Sequence, residues 1–290
     1  MIKKIKLKFT NLVNSTVEYQ LKMQQLQYNS LFSKESGVNP NSNIIVSLTT
    51  FGKYLNTAHI AIESLLEQSL QPKKIVLWIS NKICDSDIPE VLKRQQKRGL
   101  VIRKTNDIRA YTKLIPALKE YPDNVIITFD DDNIYPFDSI ECLYKGYLKD
   151  NSMVYFRFGH RMILKSSNSF IPYNDFQNEI FDENINILNL PLGVGGVLYS
   201  PHIFGEEIFN EDVFLKICPY ADDIWYKAME VKYNIQSQKV IFDHKNYIDT
   251  DFMLQKQNGR LNSINVSKNK NDTQIKAVWD YYNLWEKYKN

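Results

Sequence analysis

Residues 125–136 read VIITFDDDNIYP, a run suited to burial followed at once by three anions. Val125, Ile126, Ile127, Thr128 and Phe129 are β-branched or aromatic and favour a packed strand. Asp130, Asp131 and Asp132 only accept hydrogen bonds, repel one another and resist desolvation. A strand ending in such a cluster is either a solvated acidic turn or a place where something cationic sits.

Upstream, short β-branched runs recur at 44–49, 75–79 and 100–103, with 125–129 as the fourth. Helix-like stretches lie between them at 55–68, 87–98 and 110–120, and an earlier helix is predicted over Val17–Phe32. Ile62, Leu65 and Leu66 share one face of the first stretch. Asp87 and Pro89 mark the start of the second, and Gly99 its stop. Strand–helix alternation predicts right-handed crossovers and an α/β fold: a Rossmann-like, mainly parallel sheet flanked by helices. In such a sheet ligands collect beyond the carboxyl ends of the strands, where the three aspartates fall.

The second half loses this rhythm and reads as a smaller mixed or antiparallel half. VYFRFGHRMIL (154–164) alternates like an antiparallel pair or one long bent strand, and 166–190 is Asn- and Ser-rich, an expected loop. PLGVGGVLYSP (191–201) reads as a glycine-dense turn entering a strand. A helix over 221–233 and a strand over 237–242 follow. The polar stretch 262–274 leads into a helix whose Ile275, Val278, Tyr282 and Trp285 form a core-packing stripe. The chain is divided as a basic segment and helix (1–42), a catalytic domain (43–250, with a nucleotide-binding half 43–135 and an acceptor-side half 136–250) and a C-terminal tail and helix (251–290).

With 43% hydrophobic and 24% charged residues and a net charge of +3, the 290-residue chain has the composition of a soluble globular protein. That charge, without basic clusters interleaved with aromatics, argues against nucleic acid as a partner. Cys84, Cys142 and Cys218 lack the CxxC spacing of a zinc site or a disulfide framework, which fits a reducing, cytoplasmic setting. No apolar run approaches the roughly 20 residues of a membrane-spanning helix. The N-terminus, MIKKIKLKFTNLV, is basic and has no acid before Glu18. It is a solvated terminus or a weak peripheral contact with anionic lipid at the inner face of a membrane.

Asp130 and Asp132, at i and i+2 beyond a strand, are a natural pair for Mg2+ or Mn2+, which take oxygen ligands and leave positions open for substrate phosphates. SLTTF (47–51) ends the first strand with Thr49, Thr50 and Phe51, two hydroxyls and an aromatic suited to a nucleoside, or simply a helix-cap turn. Asp107, Arg109 and Lys113 follow the third strand. The two cations suit a diphosphate and the acid a base or ribose; the bland alternative is a solvated helix start. Gly195 and Gly196 let backbone approach a ligand. Asp222 and Asp223 open a helix, where the dipole favours carboxylates; capping explains one and a general base the other. His244 is a candidate metal or phosphate contact. His59, His160 and His202 have no partner visible in the sequence. The absence of GxSxG, P-loop and HExxH patterns disfavours serine hydrolases, P-loop kinases and zinc proteases.

In this order, from Asn43 to His244, SLTTF, ESLLEQSLQPKKIVLWIS, TKLIPAL, the DDD motif, the glycine segment and ADDIW resemble GT-A nucleotide-sugar glycosyltransferases, particularly family-2-like bacterial enzymes of surface polysaccharide synthesis. The resemblance implies a hexosyltransferase using a nucleotide-sugar, UDP-sugar first, and a saccharide or lipid-linked saccharide acceptor. It implies Asp130 and Asp132 at a donor-diphosphate metal, Asp131 near the ribose, and Thr49, Thr50, Phe51 and Asp107 near the nucleoside. Lys113 would lie near base or phosphate, and Asp223, or Asp222, would be the base of an inverting displacement. The base is expected to be ionised at neutral pH, as an ordinary carboxylate is. ADDIW departs from the commoner Glu-Asp pair, and the family's late basic motif is missing, with His244 as its substitute. The competing readings are a sugar-nucleotide nucleotidyltransferase and a non-catalytic glycan-binding or scaffold protein. The C-terminal aromatic helix is compatible with a homodimer.

Overall fold

The computed structural model describes residues 2–177, 180, 182–241 and 270–288, with side chains from residue 17 onward. Helix α1 (Ile2–Phe32) precedes a run of alternating elements: β1 (Ile44–Thr49), α2 (Ala58–Leu66), β2 (Lys74–Ser80), α3 (Glu90–Gln96), β3 (Leu100–Thr105), α4 (Ile115–Glu120), β4 (Val125–Thr128) and α5 (Ser139–Lys149). After these come β5 (Val154–Arg161), a two-stranded ribbon of β6 (Leu164–Ser166) and β7 (Ser169–Phe170), β8 (Asn189–Tyr199), α6 (Glu211–Ile217), α7 (Asp222–Lys232), β9 (Ser237–Lys239) and α8 (Lys270–Tyr281). Gly99 does end the α3 segment. Its φ of +124° is a conformation that side-chain-bearing residues avoid, and a Cβ there would lie 2.4 Å from Val38.

The seven-stranded sheet runs β3-β2-β1-β4-β8-β5-β9. β1 pairs in parallel with both β2 and β4, β2 with β3, and β5 with β9, whereas β8 lies antiparallel between β4 and β5. The fold is therefore α/β with a mainly parallel, Rossmann-like sheet and a mixed far half. Strand order turns back between β1 and β4, so a crevice opens beyond their carboxyl ends, as open α/β sheets provide. Thr49–Phe51 leave one side of it and Asp130–Asp132 the other.

Strand alternation divides the core into two layers. Ile45, Val76, Ile126 and Phe156 face α7 and α8, while Val46, Leu77, Ile127 and Tyr155 face α2 and α5. Tyr19 and Leu26 of α1 pack on Ile60 and on Ile134, just beyond the aspartates. Beneath them Arg98 meets both oxygens of the buried Glu63 at 2.8 Å.

Three expectations need revision. The glycines of 191–201 form no turn: Gly193, Gly195 and Gly196 lie within β8, where they make room for side chains from neighbouring elements, and the turn comes only after the strand, from Pro201. Residues 166–190 are not one loop but include the β6–β7 ribbon and a 3-10 turn, Tyr173–Asp175. The long helices read at 55–68 and 110–120 each begin as a 3-10 turn, Gly52–Asn56 and Arg109–Lys113. The aromatic stripe is core as expected, with Ile275, Val278 and Trp285 buried, although α8 itself ends at Tyr281. Among the described residues no helix is long and apolar enough to cross a membrane.

Candidate active site

The crevice is organised around an ammonium group. Lys113 ends its 3-10 turn with Nζ 3.0 Å from Asp130 Oδ1 and 3.1 Å from Asp222 Oδ2. One carboxylate lies just beyond β4 and the other at the first residue of α7, so this lysine ties the two halves of the sheet together. Side-chain exposures of 8% for Lys113, 10% for Asp222 and 31% for Asp130 show that the bridge opens to solvent at Asp130. Burial works against the Lys113 charge. Asp130, Asp222 and Asp223 outweigh it and hold the ammonium well above the ordinary lysine range.

Several groups fix this geometry from beneath. Ser47 of β1 donates to the Lys113 carbonyl at 2.5 Å and accepts from Trp78 Nε1 at 2.9 Å. Gly193 of β8 passes so close that a Cβ would lie 2.3 Å from Lys113 Nζ and 3.3 Å from Asp130 Oδ1. On the other side of the cluster the buried Tyr135 hydroxyl accepts from the Asp130 amide at 2.9 Å and donates to the Asp130 carbonyl at 3.0 Å. The bend after β4 is thus clamped by a side chain five residues downstream. Tyr135 is in turn held by Ser64 Oγ at 3.0 Å and by the Phe129 ring at 4.4 Å.

Asp222 and Asp223 both lie in the first turn of α7, but neither serves simply as a cap. Asp222 turns to Lys113, and Asp223 Oδ1 accepts from the Gly193 amide at 3.3 Å. Asp223 is half-buried. Burial foremost, then the neighbouring Asp222 charge, pushes its carboxyl up to about 8, partly opposed by Lys113. Burial thus favours the protonated form of Asp223 in the ligand-free protein, against the expectation of an ordinary carboxylate.

Asp131 lies beside Thr50 rather than in the Lys113 bridge. Burial, followed by repulsion from Asp132 and Asp130, raises its carboxyl to about 7, and the nearby Thr50 hydroxyl draws it partway back. Asp131 Oδ2 and Thr50 Oγ1 are both buried without a well-formed hydrogen bond. Asp132 accepts from Asn133 Nδ2 at 2.9 Å. Among the described residues no three His, Cys, Asp or Glu side chains converge as a ready-made metal cage. Small hard cations need none: they are held by one or two carboxylates with water and phosphate oxygens completing the shell. The half-buried Asp130, with Asp132 two residues on and the unpartnered Asp131 Oδ2 between them in sequence, fits that pattern.

The other predicted residues distribute unevenly. Thr49 Oγ1 donates to the Trp78 carbonyl at 3.1 Å, and Phe51 is 55% exposed at the crevice mouth. Asp107 accepts from the Arg109 amide at 2.8 Å, within a turn that puts Arg109 at φ +64°. The Arg109 guanidinium donates to the Pro219 carbonyl at 3.0 Å and lies 4.8 Å from the Tyr220 ring, on the segment that leads into Asp222 and Asp223. Gly195 and Gly196 yield space to Phe158 and Phe129. His244 lies outside the described residues. Ser47, Tyr135 and Gly193 were not singled out from the sequence. Only Gly193 had a legible signal, its place in the glycine segment on the same strand face as Gly195.

No family model and no curated protein matches the chain. Among solved structures it is similar to S. aureus TarS 1–349 in complex with UDP, at 15% identity and a TM-score of 0.43, over 70% of this chain and 59% of that one. A second TarS 1–349 structure gives 14% identity and a TM-score of 0.44, over the same 70% and 59%. A CMP:2-keto-3-deoxy-manno-octonic acid synthetase complexed with CTP gives 12% identity and a TM-score of 0.40, over 68% of this chain and 87% of that one. The chain thus spans 59% of the length of the TarS structures it matches.

Proposed function

We propose that this protein is a metal-dependent glycosyltransferase that moves a sugar from a nucleotide-sugar, a UDP-sugar first, to a saccharide or lipid-linked saccharide acceptor in bacterial surface glycan synthesis. The observation that carries this reading is the Asp130–Lys113–Asp222 bridge at the β1/β4 crevice, with Asp223 beside it. In this reading the Lys113 cation faces the donor's diphosphate and the Asp223 carboxyl the anomeric carbon.

Asp130 and Asp132 are the residues that would hold Mn2+ or Mg2+. The ion, when bound, supplies Lewis-acid neutralisation of the diphosphate. Thr49, Thr50, Phe51 and Asp107 border the nucleoside end, with Asp131 toward the ribose. Lys113 supplies fixed positive charge where negative charge develops on the departing diphosphate, in a setting already organised before the reaction. Asp223 takes the proton of the acceptor hydroxyl as that oxygen bonds to the anomeric carbon. The bond from carbon to phosphate oxygen breaks on the opposite face, and its electron pair leaves with the nucleoside diphosphate. The configuration inverts. A base with a pKa of about 8 suits this step better than an ordinary carboxylate, because proton transfer is most effective when the pKa lies near the working pH.

The test is a screen of sugar nucleotides with and without Mn2+, reading the released product. Nucleoside diphosphate from one donor, lost on Asp132→Ala, is expected. Pyrophosphate from a nucleoside triphosphate would instead make the protein a nucleotidyltransferase. Ligand binding indifferent to Asp132→Ala and no turnover of any donor would leave only a binding protein.

A further inference from the structure

Helix α1 carries apolar side chains on two opposite faces. On one, Tyr19, Leu26 and Ser30 are buried, and Tyr19 and Leu26 pack on Ile60 and Ile134. Lys22 and Asn29 fasten this face to the body, donating to the two oxygens of Glu67 at 2.9 and 2.7 Å. At about 100° per residue, Val17, Leu21 and Tyr28 fall on the opposite side, with Leu31 and Phe32 at its edges. These five side chains are between 42% and 63% exposed, and they are five of the thirteen large apolar side chains that stand exposed among the described residues. The Tyr28 and Phe32 rings meet at 4.8 Å. Scattered apolar side chains are ordinary on a surface, whereas a stripe of them along one helix marks an interaction site.

Charge identifies what covers the stripe. The exposed residues among these side chains include Gln20, Gln24, Gln25 and Gln27, all uncharged. The same helix begins with Lys3, Lys4, Lys6 and Lys8, and its only acid is Glu18. A second copy of α1 therefore offers those lysines almost nothing to neutralise them. An anionic bilayer matches both ends of the helix, with phosphate headgroups for the basic turns and an acyl boundary for the apolar stripe.

We propose that α1 lies in the surface of an anionic membrane, with Val17, Leu21, Tyr28, Leu31 and Phe32 in the acyl boundary and Lys3, Lys4, Lys6 and Lys8 among the phosphate headgroups. The contact itself does not depend on the transferase reading. Where that reading holds, the contact selects the lipid-linked of its two acceptor classes. Ile134, on which α1 packs, stands two residues beyond Asp132, so a membrane-bound α1 brings the aspartate turn to about 10 Å, one helix diameter, from the lipid.

The experiment uses the full chain and extruded vesicles of phosphatidylcholine, alone or mixed with phosphatidylglycerol. Binding is read by co-sedimentation with no donor present. The mixed vesicles are expected to bind the protein at least about tenfold more tightly than phosphatidylcholine alone, and raising the salt should release it. Replacing Lys3, Lys4, Lys6 and Lys8 with Gln should weaken binding about a hundredfold. Leu21→Ser with Phe32→Ser should also weaken it about a hundredfold, at an unchanged Tm because both side chains are exposed. No binding to the mixed vesicles, equal binding to both compositions, or binding undiminished in either variant overturns the proposal. So does a dimer in light scattering that Leu21→Ser with Phe32→Ser converts to monomer, which would make the stripe a contact between copies. Vesicle binding by a protein that turns over no donor keeps the membrane contact and removes the transferase; donor turnover without vesicle binding does the reverse.

Discussion

Substituting Gly193 with alanine tests whether the lysine bridge is as tight as its geometry. Gly193 is not at a positive φ, so the methyl group adds no backbone strain; it adds volume 2.3 Å from Lys113 Nζ. To reach ordinary contact the ammonium must retreat by about 1 Å, which lengthens ion pairs that stand at 3.0 and 3.1 Å. At an effective dielectric constant of about 20, moving a unit pair from 3 to 4 Å forfeits about 1.4 kcal/mol. One pair lost in this way costs about that much and both about twice it, a Tm lower by about 3–8 °C for a chain of this size. Donor turnover should fall as well, because the displaced charge no longer faces the diphosphate. The assay is thermal unfolding of Gly193→Ala, Lys113→Met and the double variant. In the Lys113→Met background the added methyl should cost almost nothing, since its clash partner is gone. Equal destabilisation by Gly193→Ala in both backgrounds would refute the reasoning, as would a Gly193→Ala protein with unchanged Tm and turnover.

Other consequences follow from the same geometry. Asp223 must lose its proton to act as base, so kcat/KM should rise with pH and level off above about 8; a profile flat from pH 5 to 9 would count against this assignment. Its folded pKa lies above the unfolded value, so the native state alone holds that proton between about 4 and 8. Stability of the ligand-free protein should therefore fall as pH rises through that window, by at most about 1.4 kcal/mol per pH unit, and Asp223→Asn should flatten the fall in denaturant titrations. Tyr135→Phe removes the hydroxyl that clamps both backbone groups of Asp130. It should cost about 1–3 kcal/mol in urea unfolding and weaken UDP binding measured by calorimetry. Glu63→Gln strips the charge partner from the buried Arg98 and should cost about 3–5 kcal/mol without touching the crevice; a loss below 1 kcal/mol would show that Arg98 finds other compensation.

The nucleotide-side half was legible because its signals are local. Each strand is a short β-branched run, each crossover a helical stretch, and a parallel sheet leaves few ways to connect them. The position of Asp130–Asp132 at the carboxyl edge followed from that alone. Long-range pairing was not legible. That Lys113 bridges Asp130 and Asp222 depends on how β8 threads antiparallel between β4 and β5, and no residue near Lys113 in sequence announces it. The glycine segment was misread as a turn because glycine signals a turn and close packing equally well, and here the need was space for Lys113, Phe158 and Phe129. The raised Asp223 pKa arises from burial and from Asp222, and burial has no sequence signature. Arg109 was grouped with Lys113 by proximity in sequence, whereas a left-handed residue in the turn sends its side chain toward Tyr220.

Crystals of the protein soaked in Mn2+ and UDP give the most direct test of the central claim. The account predicts manganese density at Asp130 and Asp132, a diphosphate between that ion and Lys113, and the uracil ring along Thr49–Phe51. A diphosphate bound elsewhere on the molecule, with the Asp130–Lys113–Asp222 bridge unaltered and no ion beside it, would contradict the account.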